Sequence, residues 1–245
     1  MNNANTTIQP SERNKQNPLI DLLVSIVIPS VILMKFSGDD HLGSVNALIL
    51  ALALPLSLGL FELFKYRKFN FIALLGIISV VLTGGIGLLQ LDTQWLAIKE
   101  AAVPGIIGLA ILLSTYTPYP LIRTLLFNAS ILNIDKINQK LEDRGTSETF
   151  QCKLQTATYL LSGSFFFSSF MNYILARWLV TSPTGSTAFN EELGQMTLLS
   201  YPMIAIPSML MMLAIFYYLW RSIHGMTGLS LEQVLVTNVK EKEEA

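Results

Sequence analysis

The chain has 245 residues, 51% of them apolar and 13% charged, with a net charge of −1. Globular domains usually carry about 25% charged residues, and the mean hydropathy here is +0.50. Together these figures exclude a disordered chain, an ordinary soluble enzyme and a nucleic-acid binder, which needs a basic field.

In chain order, the first seventeen residues are polar and read as a disordered cytosolic tail. A bilayer core of about 30 Å takes roughly 20 apolar residues as a helix. Six runs of about that length follow, at 18–36, 45–64, 71–91, 101–117, 154–180 and 198–220. In lipid, backbone groups must pair within their own segment, so each run is expected as a helix. The expected fold is all-α, a polytopic membrane protein whose bundle of six transmembrane helices occupies 18–225. Strand alternation of the kind a β-barrel needs is not seen. The first run is longer than a signal-peptide core and no Ala-x-Ala site follows it, so it reads as an uncleaved span.

Small residues mark the third and fourth runs. Ala73, Gly76, Ser79, Thr83, Gly84 and Gly87 recur at spacings of three and four, as do Ala101, Gly105 and Gly108. Such stripes let helix backbones approach closely. The two runs are expected as a tight hairpin joined by the loop LDTQWLAIKE, with Trp95 as an interfacial anchor. A second reading makes Thr83-Gly84-Gly85 an unwound ion-binding segment. In the connection after the fourth run, residues 131–144 place Ile131, Ile134, Ile137 and Leu141 on one face. That spacing predicts an amphipathic helix on the inner membrane surface. The fifth run carries Ser162, Ser164, Ser168 and Asn172, and Asn172 is expected to hydrogen-bond across helices. Prolines 29, 55, 104, 202 and 207 interrupt four runs. Simple bending is the plainer reading of them, and kinks lining a cavity the functional one. The tail 226–245 is expected in the cytosol, opening with a short apolar helix over 229–239.

Lys and Arg collect on the cytosolic side of inner-membrane proteins. With six spans, thirteen of the sixteen fall on one side, and only Lys35, Lys99 and Arg177 on the other. That split predicts six spans with both termini cytosolic. The lone Cys152 then faces a reducing compartment. Ionisable residues are expected at span boundaries, with Asp21 and Glu62 near the cytosolic face. Lys35, Lys99 and Arg177 are placed at the outer face, where long stems snorkel. None is expected near a span midpoint, which speaks against a proton pump. Sodium or neutral-solute sites need only carbonyls and hydroxyls. His41 beside Asp39 and Asp40 reads as a solvated turn. Phosphate-loop, nucleophile-elbow, zinc-protease and CxxC motifs are missing, so neither an enzyme nor a cofactor or metal is expected.

One pattern is more specific. FELFKYRKFN is followed by LLGIISVVLTGGIGLLQLD and then by TQWLAIKEAAVPGIIGLAILLS. This order resembles the intracellular septation protein A family of bacterial inner-membrane proteins. LIDLLVSIVIPSVIL is similar to that family's opening span, with Asp21 at its acidic position. SFFFSSFMNYILA is similar to its late span, with Asn172 at the family's Asn, and Asp92 and Lys99 match its outer-loop Asp and Lys. The family places Pro directly after that Lys; here Glu100 follows, and Pro104 comes later. The resemblance implies envelope maintenance and septum or wall synthesis through contact with division and elongation proteins, and it implies no catalytic residues.

Two functions follow. One is a non-enzymatic membrane protein that contacts envelope-synthesis machinery. The other is a small secondary transporter, or a solute or ion permease, working as a homodimer with a site between spans one, two, three and six. A water-accessible cavity touching Glu62, Thr83 and Asn172 favours transport, and a tightly packed bundle favours the contact role. The candidate functional or packing residues are Asp21, Glu62, Thr83, Gly84, Gly85, Asp92, Lys99, Asn172 and Arg177.

Overall fold

The computed structural model describes residues 26–66, 71–117, 121–122 and 132–234, without the side chains of 62–66, 71–73 and 231. The tail 1–17, the start of the first run (18–25) with Asp21, and residues 235–245 lie outside the described residues. Among the described residues the regular structure is helical.

α1 (Ile28–Lys35) continues from π-helical residues 26–27, with Pro29, which lacks an N–H, at the change from π to α. α2 (Gly43–Tyr66) contains Pro55, α3 (Phe71–Leu88) is uninterrupted, and α4 (Gln94–Ser114) contains Pro104. α5 (Ile134–Asp143) leads into α6 (Ser147–Leu179). α7 (Thr187–Ser200) continues through a π-helical turn, Tyr201–Ala205, into α8 (Ile206–Thr227). A short α9 (Leu231–Val234) follows. The π turn contains Pro202 and ends just before Pro207, and the absent N–H groups of both weaken the i→i+4 ladder there.

Three stretches are long and apolar enough to cross a membrane: Gly43–Phe61, Gln94–Ser114 and Thr187–Thr227. The third expected run forms an apolar but shorter stretch, Leu74–Leu88. The fifth lies inside α6, which is long enough but diluted by its serines, threonines and Asn172.

α4, α6 and α7 start earlier than expected, and for α4 and α7 a local reason is visible. α4 begins at Gln94, because Asp92 Oδ1 accepts the Gln94 N–H at 2.8 Å and the Asp92 carbonyl accepts from Trp95 at 3.0 Å. Most of the expected loop is therefore helix. α7 begins at Thr187, where Ser186 Oγ caps the Phe189 N–H at 3.0 Å. Glu192 then lies on the helix and ties down the preceding turn. Its Oε2 accepts the backbone N–H groups of Thr181 (2.9 Å) and Ser182 (2.8 Å).

α6 is the spine of the bundle, and a core lies toward each of its ends. Leu154 and Leu161 pack with Ile111, Ile215, Leu219 and Ile223 in one. Leu175, Ala176 and Val180 pack with Leu33, Leu48, Ile86 and Phe189 in the other. The predicted amphipathic helix forms as α5, and its described apolar face is turned into the protein. Ile137 and Leu141 are buried in the first core beneath α6, α8 and α9, so protein covers what lipid was expected to cover.

The small-residue stripes also find other partners than expected. α3 and α4 touch only slightly, and the most extensive helix pair is α4 with α6. Gly108 allows this approach: Ser162 Oγ donates to the Gly108 carbonyl at 2.8 Å, and Phe165 lies against the glycine. Gly84 and Gly87 of α3 face Leu52 and Leu48 of α2 instead. A stripe of small residues specifies close packing but not which helix supplies it.

At the end of the bundle carrying the 36–42, 89–93 and 180–186 turns, buried Asn190 joins three elements. Its Nδ2 donates to Ser37 Oγ (3.0 Å) and to the Ser44 carbonyl (2.7 Å), tying α7 to the end of α1 and the start of α2. Asn190→Ala removes both bonds and leaves those oxygens facing a void. We expect it to lower stability by about 2 kcal/mol, read as a fall in thermal midpoint of the detergent-solubilised protein.

The outside of the bundle is apolar. Ile106, Phe170, Trp178 and Leu210 are each more than half exposed. An exposed apolar surface of this extent is a liability in water and fits hydrocarbon.

Candidate functional site

A cavity of about 550 Å³ opens among α1, α2, α3, α4, α6 and the run from α7 into α8. Lys99 is its charged centre. It lies in the second turn of α4 with its side chain 8% exposed. Its ammonium donates to Ser79 Oγ at 3.1 Å and to Thr83 Oγ1 at 2.8 Å, and it pairs with Glu100 Oε1 at 2.6 Å. An ammonium has three N–H donors, and here three acceptors meet it.

The local sequence explains this cluster. Ser79 and Thr83 stand one turn apart on α3, so their hydroxyls share a face. Thr83 Oγ1 spends its own proton on the Ser79 carbonyl (3.0 Å), which leaves its lone pairs for Lys99. Lys99 and Glu100 are neighbours about 100° apart around α4, so they pair only because both stems bend into the same space. Glu100 is the more accessible of the two, at 24%.

The other helices contribute hydroxyls. Ser30 of α1 is buried and its Oγ has no hydrogen-bond partner, and the same holds for Ser208 Oγ of α8. Ser200 Oγ and Thr197 Oγ1 donate to their own helix, at Met196 O (2.7 Å) and Leu193 O (2.9 Å), keeping lone pairs free. Pro29 and Pro55 are on the wall, and Pro55 offers no N–H to the carbonyl of Ala51, also a lining residue. The remaining wall is aliphatic, including Leu33, Leu52, Val80 and Ile204.

Several expectations change here. Lys99 does not snorkel at a helix boundary; the early start of α4 carries it into the bundle. Glu100, read as an outer-loop acid, pairs with it. Thr83 and Asn172 both line the cavity. Asn172 bridges no helices, however, because its Nδ2 donates to the Ser168 carbonyl one turn back at 2.8 Å. Thr83-Gly84-Gly85 is not unwound: α3 runs through it, Gly84 packs toward Leu52, and Gly85 faces open space. Asp92 is an exposed helix cap. Arg177 is exposed in the last turn of α6, where a cation suits the helix dipole. The cavity does touch the first, second, third and sixth runs, as the transport reading expected, and α4 and α6 add to it. Glu62 lies in α2 with its side chain outside the described residues, as is all of Asp21.

Ser30 and Ser208 carry no mark in the sequence, Ser79 reads there only as part of a packing stripe, and Glu100 only as part of the loop. Only the i, i+4 pair Ser79 and Thr83 carried a signal, a polar pair on one face of an apolar helix. Among the described residues no three His, Cys, Asp or Glu side chains are placed to hold a metal. Comparison of the chain with family models, curated proteins and solved structures found no match.

Proposed function

We propose that the protein is a small membrane transporter, a secondary transporter or permease, with its solute site in the cavity around Lys99. The observation that carries this reading is the charged and hydroxyl-lined cavity of about 550 Å³ inside a bundle whose exterior is apolar. A buried ion pair among apolar helices costs desolvation that a merely structural contact does not repay. Small-molecule sites have this size and this mixture of apolar wall and few polar groups. Prolines on the wall and a π turn beside it supply the irregular backbone that such sites use.

The proposed setting is a bacterial inner membrane, crossed six times with both termini cytosolic. Thirteen of sixteen basic residues on one side support that orientation. The cavity then sits toward the outer face. The envelope-contact role implied by the septation-family resemblance called for a tightly packed interior, and the cavity weighs against it.

The test is solute counterflow in proteoliposomes with a labelled panel of amino acids, sugars and inorganic ions. We expect saturable exchange of at least one class above protein-free vesicles, abolished by Ser200→Trp, which fills the cavity. Exchange equal to that of empty vesicles across the panel would overturn the proposal.

A further inference from the structure

Resting on the reading of this cavity as a solute site, we propose that its ligand is a zwitterion with an aliphatic side chain, of the amino-acid kind. Its ammonium lands on Glu100 and its carboxylate on Lys99. The charges on the wall decide the class. The described lining holds one cation and one anion, Lys99 and Glu100, and they neutralise each other. All three Lys99 donors are in use, two of them on α3 hydroxyls, so a ligand carboxylate that meets Lys99 from the accessible side takes the place of Glu100. The freed Glu100 carboxylate then needs a cation in its place. A ligand carrying both groups makes the exchange one for one. A ligand with a single charge leaves one member of the pair unmatched away from water, which is heavily penalised. Glu100 is also the accessible member of the pair, so it is the group a ligand ammonium meets first.

The rest of the wall fits the remainder of such a molecule. The hydroxyl oxygens of Thr197 and Ser200, whose protons go to their own helix, accept from a ligand and select no charge of their own. Leu33, Leu52, Val80, Leu193 and Ile204 provide a surface for an aliphatic side chain and leave a polyol's hydroxyls without partners.

Leucine and its isosteres test this directly. Isoamylamine is leucine without the carboxylate, isocaproate is leucine without the amino group, and isocaproamide carries neither charge. Equilibrium binding to the purified full chain in detergent should favour leucine over all three by about a hundredfold or more. Lys99→Met should shift the preference to isoamylamine, and Glu100→Gln should shift it to isocaproate. A general loss of structure cannot produce opposite shifts in two variants. Equal binding of the four compounds, or preference for one lacking a charge, overturns the proposal even if neither variant folds. Counterflow of a sugar or ion with no leucine binding removes this ligand class and leaves the transport reading standing. Leucine binding without counterflow upholds the ligand class and removes transport.

Discussion

Lys99→Met should lower stability by about 3 kcal/mol. The substitution removes the ammonium that Ser79, Thr83 and Glu100 share, and it leaves a carboxylate only 24% exposed without a counter-charge. Breaking a buried pair costs about 3–5 kcal/mol when both members are fully enclosed; the partial exposure of Glu100 sets the lower end. Glu100→Gln should cost less, because the amide still accepts from Lys99 and the remaining charge keeps two hydroxyl acceptors. In the double variant no charge is left, and stability should recover beyond the sum of the single losses. Unfolding in mixed micelles across this double-mutant cycle measures the coupling directly. If Lys99 instead reached water past a helix end, the coupling would fall below about 0.5 kcal/mol, as for exposed pairs.

Gly194→Leu should prevent α7 from seating on α1. Even a methyl group at this position would lie 2.9 Å from the Ser30 carbonyl oxygen and 2.8 Å from Met34 Cγ. The side chain of Met34 can turn away, but the backbone of α1 cannot yield without the helix moving. Gly194→Ala is expected to cost about 1–3 kcal/mol, and leucine enough to empty the assembled fraction. Gly85→Ala is the control: open space surrounds it, and alanine is the better helix former by about 1 kcal/mol, so its thermal midpoint should hold or rise. Size-exclusion profiles and thermal midpoints of the three variants separate these outcomes. Indistinguishable midpoints for Gly194→Ala and the parent would mean that α1 and α7 do not touch there.

The sequence made the helices legible but not their partners. Apolar runs within α2, α3, α4 and α8 announce themselves by length, and α5 announces itself by period. The start of α4 was also readable: Asp92 and Thr93 before an apolar run are an N-terminal signature. Lys99 and Glu100 mask it, because two adjacent charges in an apolar run have the signature of a loop. That signature alone moves the site's centre out of the bundle. The contacts of Lys99 with Ser79 and Thr83 cross from one helix to another, and no spacing rule encodes which face of α3 meets α4. Asn190 was hidden for a similar reason, in a segment read as an outer loop. Asn172 shows the converse: an amide in an apolar helix needs partners, but a carbonyl one turn back met that need locally.

On the proposed reading, apolar helices surrounded by lipid enclose a site that water reaches. Thiol labelling of intact membranes tests it, in a Cys152→Ser background, with single cysteines at Ser200 on the cavity wall and at Leu210 on the apolar exterior. A charged methanethiosulfonate reagent reacts with thiolates, which form in water and not in hydrocarbon. The account predicts rapid labelling at 200 and almost none at 210, although the side chain at 210 is the more exposed on the protein itself. Labelling at 210 as fast as at 200, or at neither position, would contradict it.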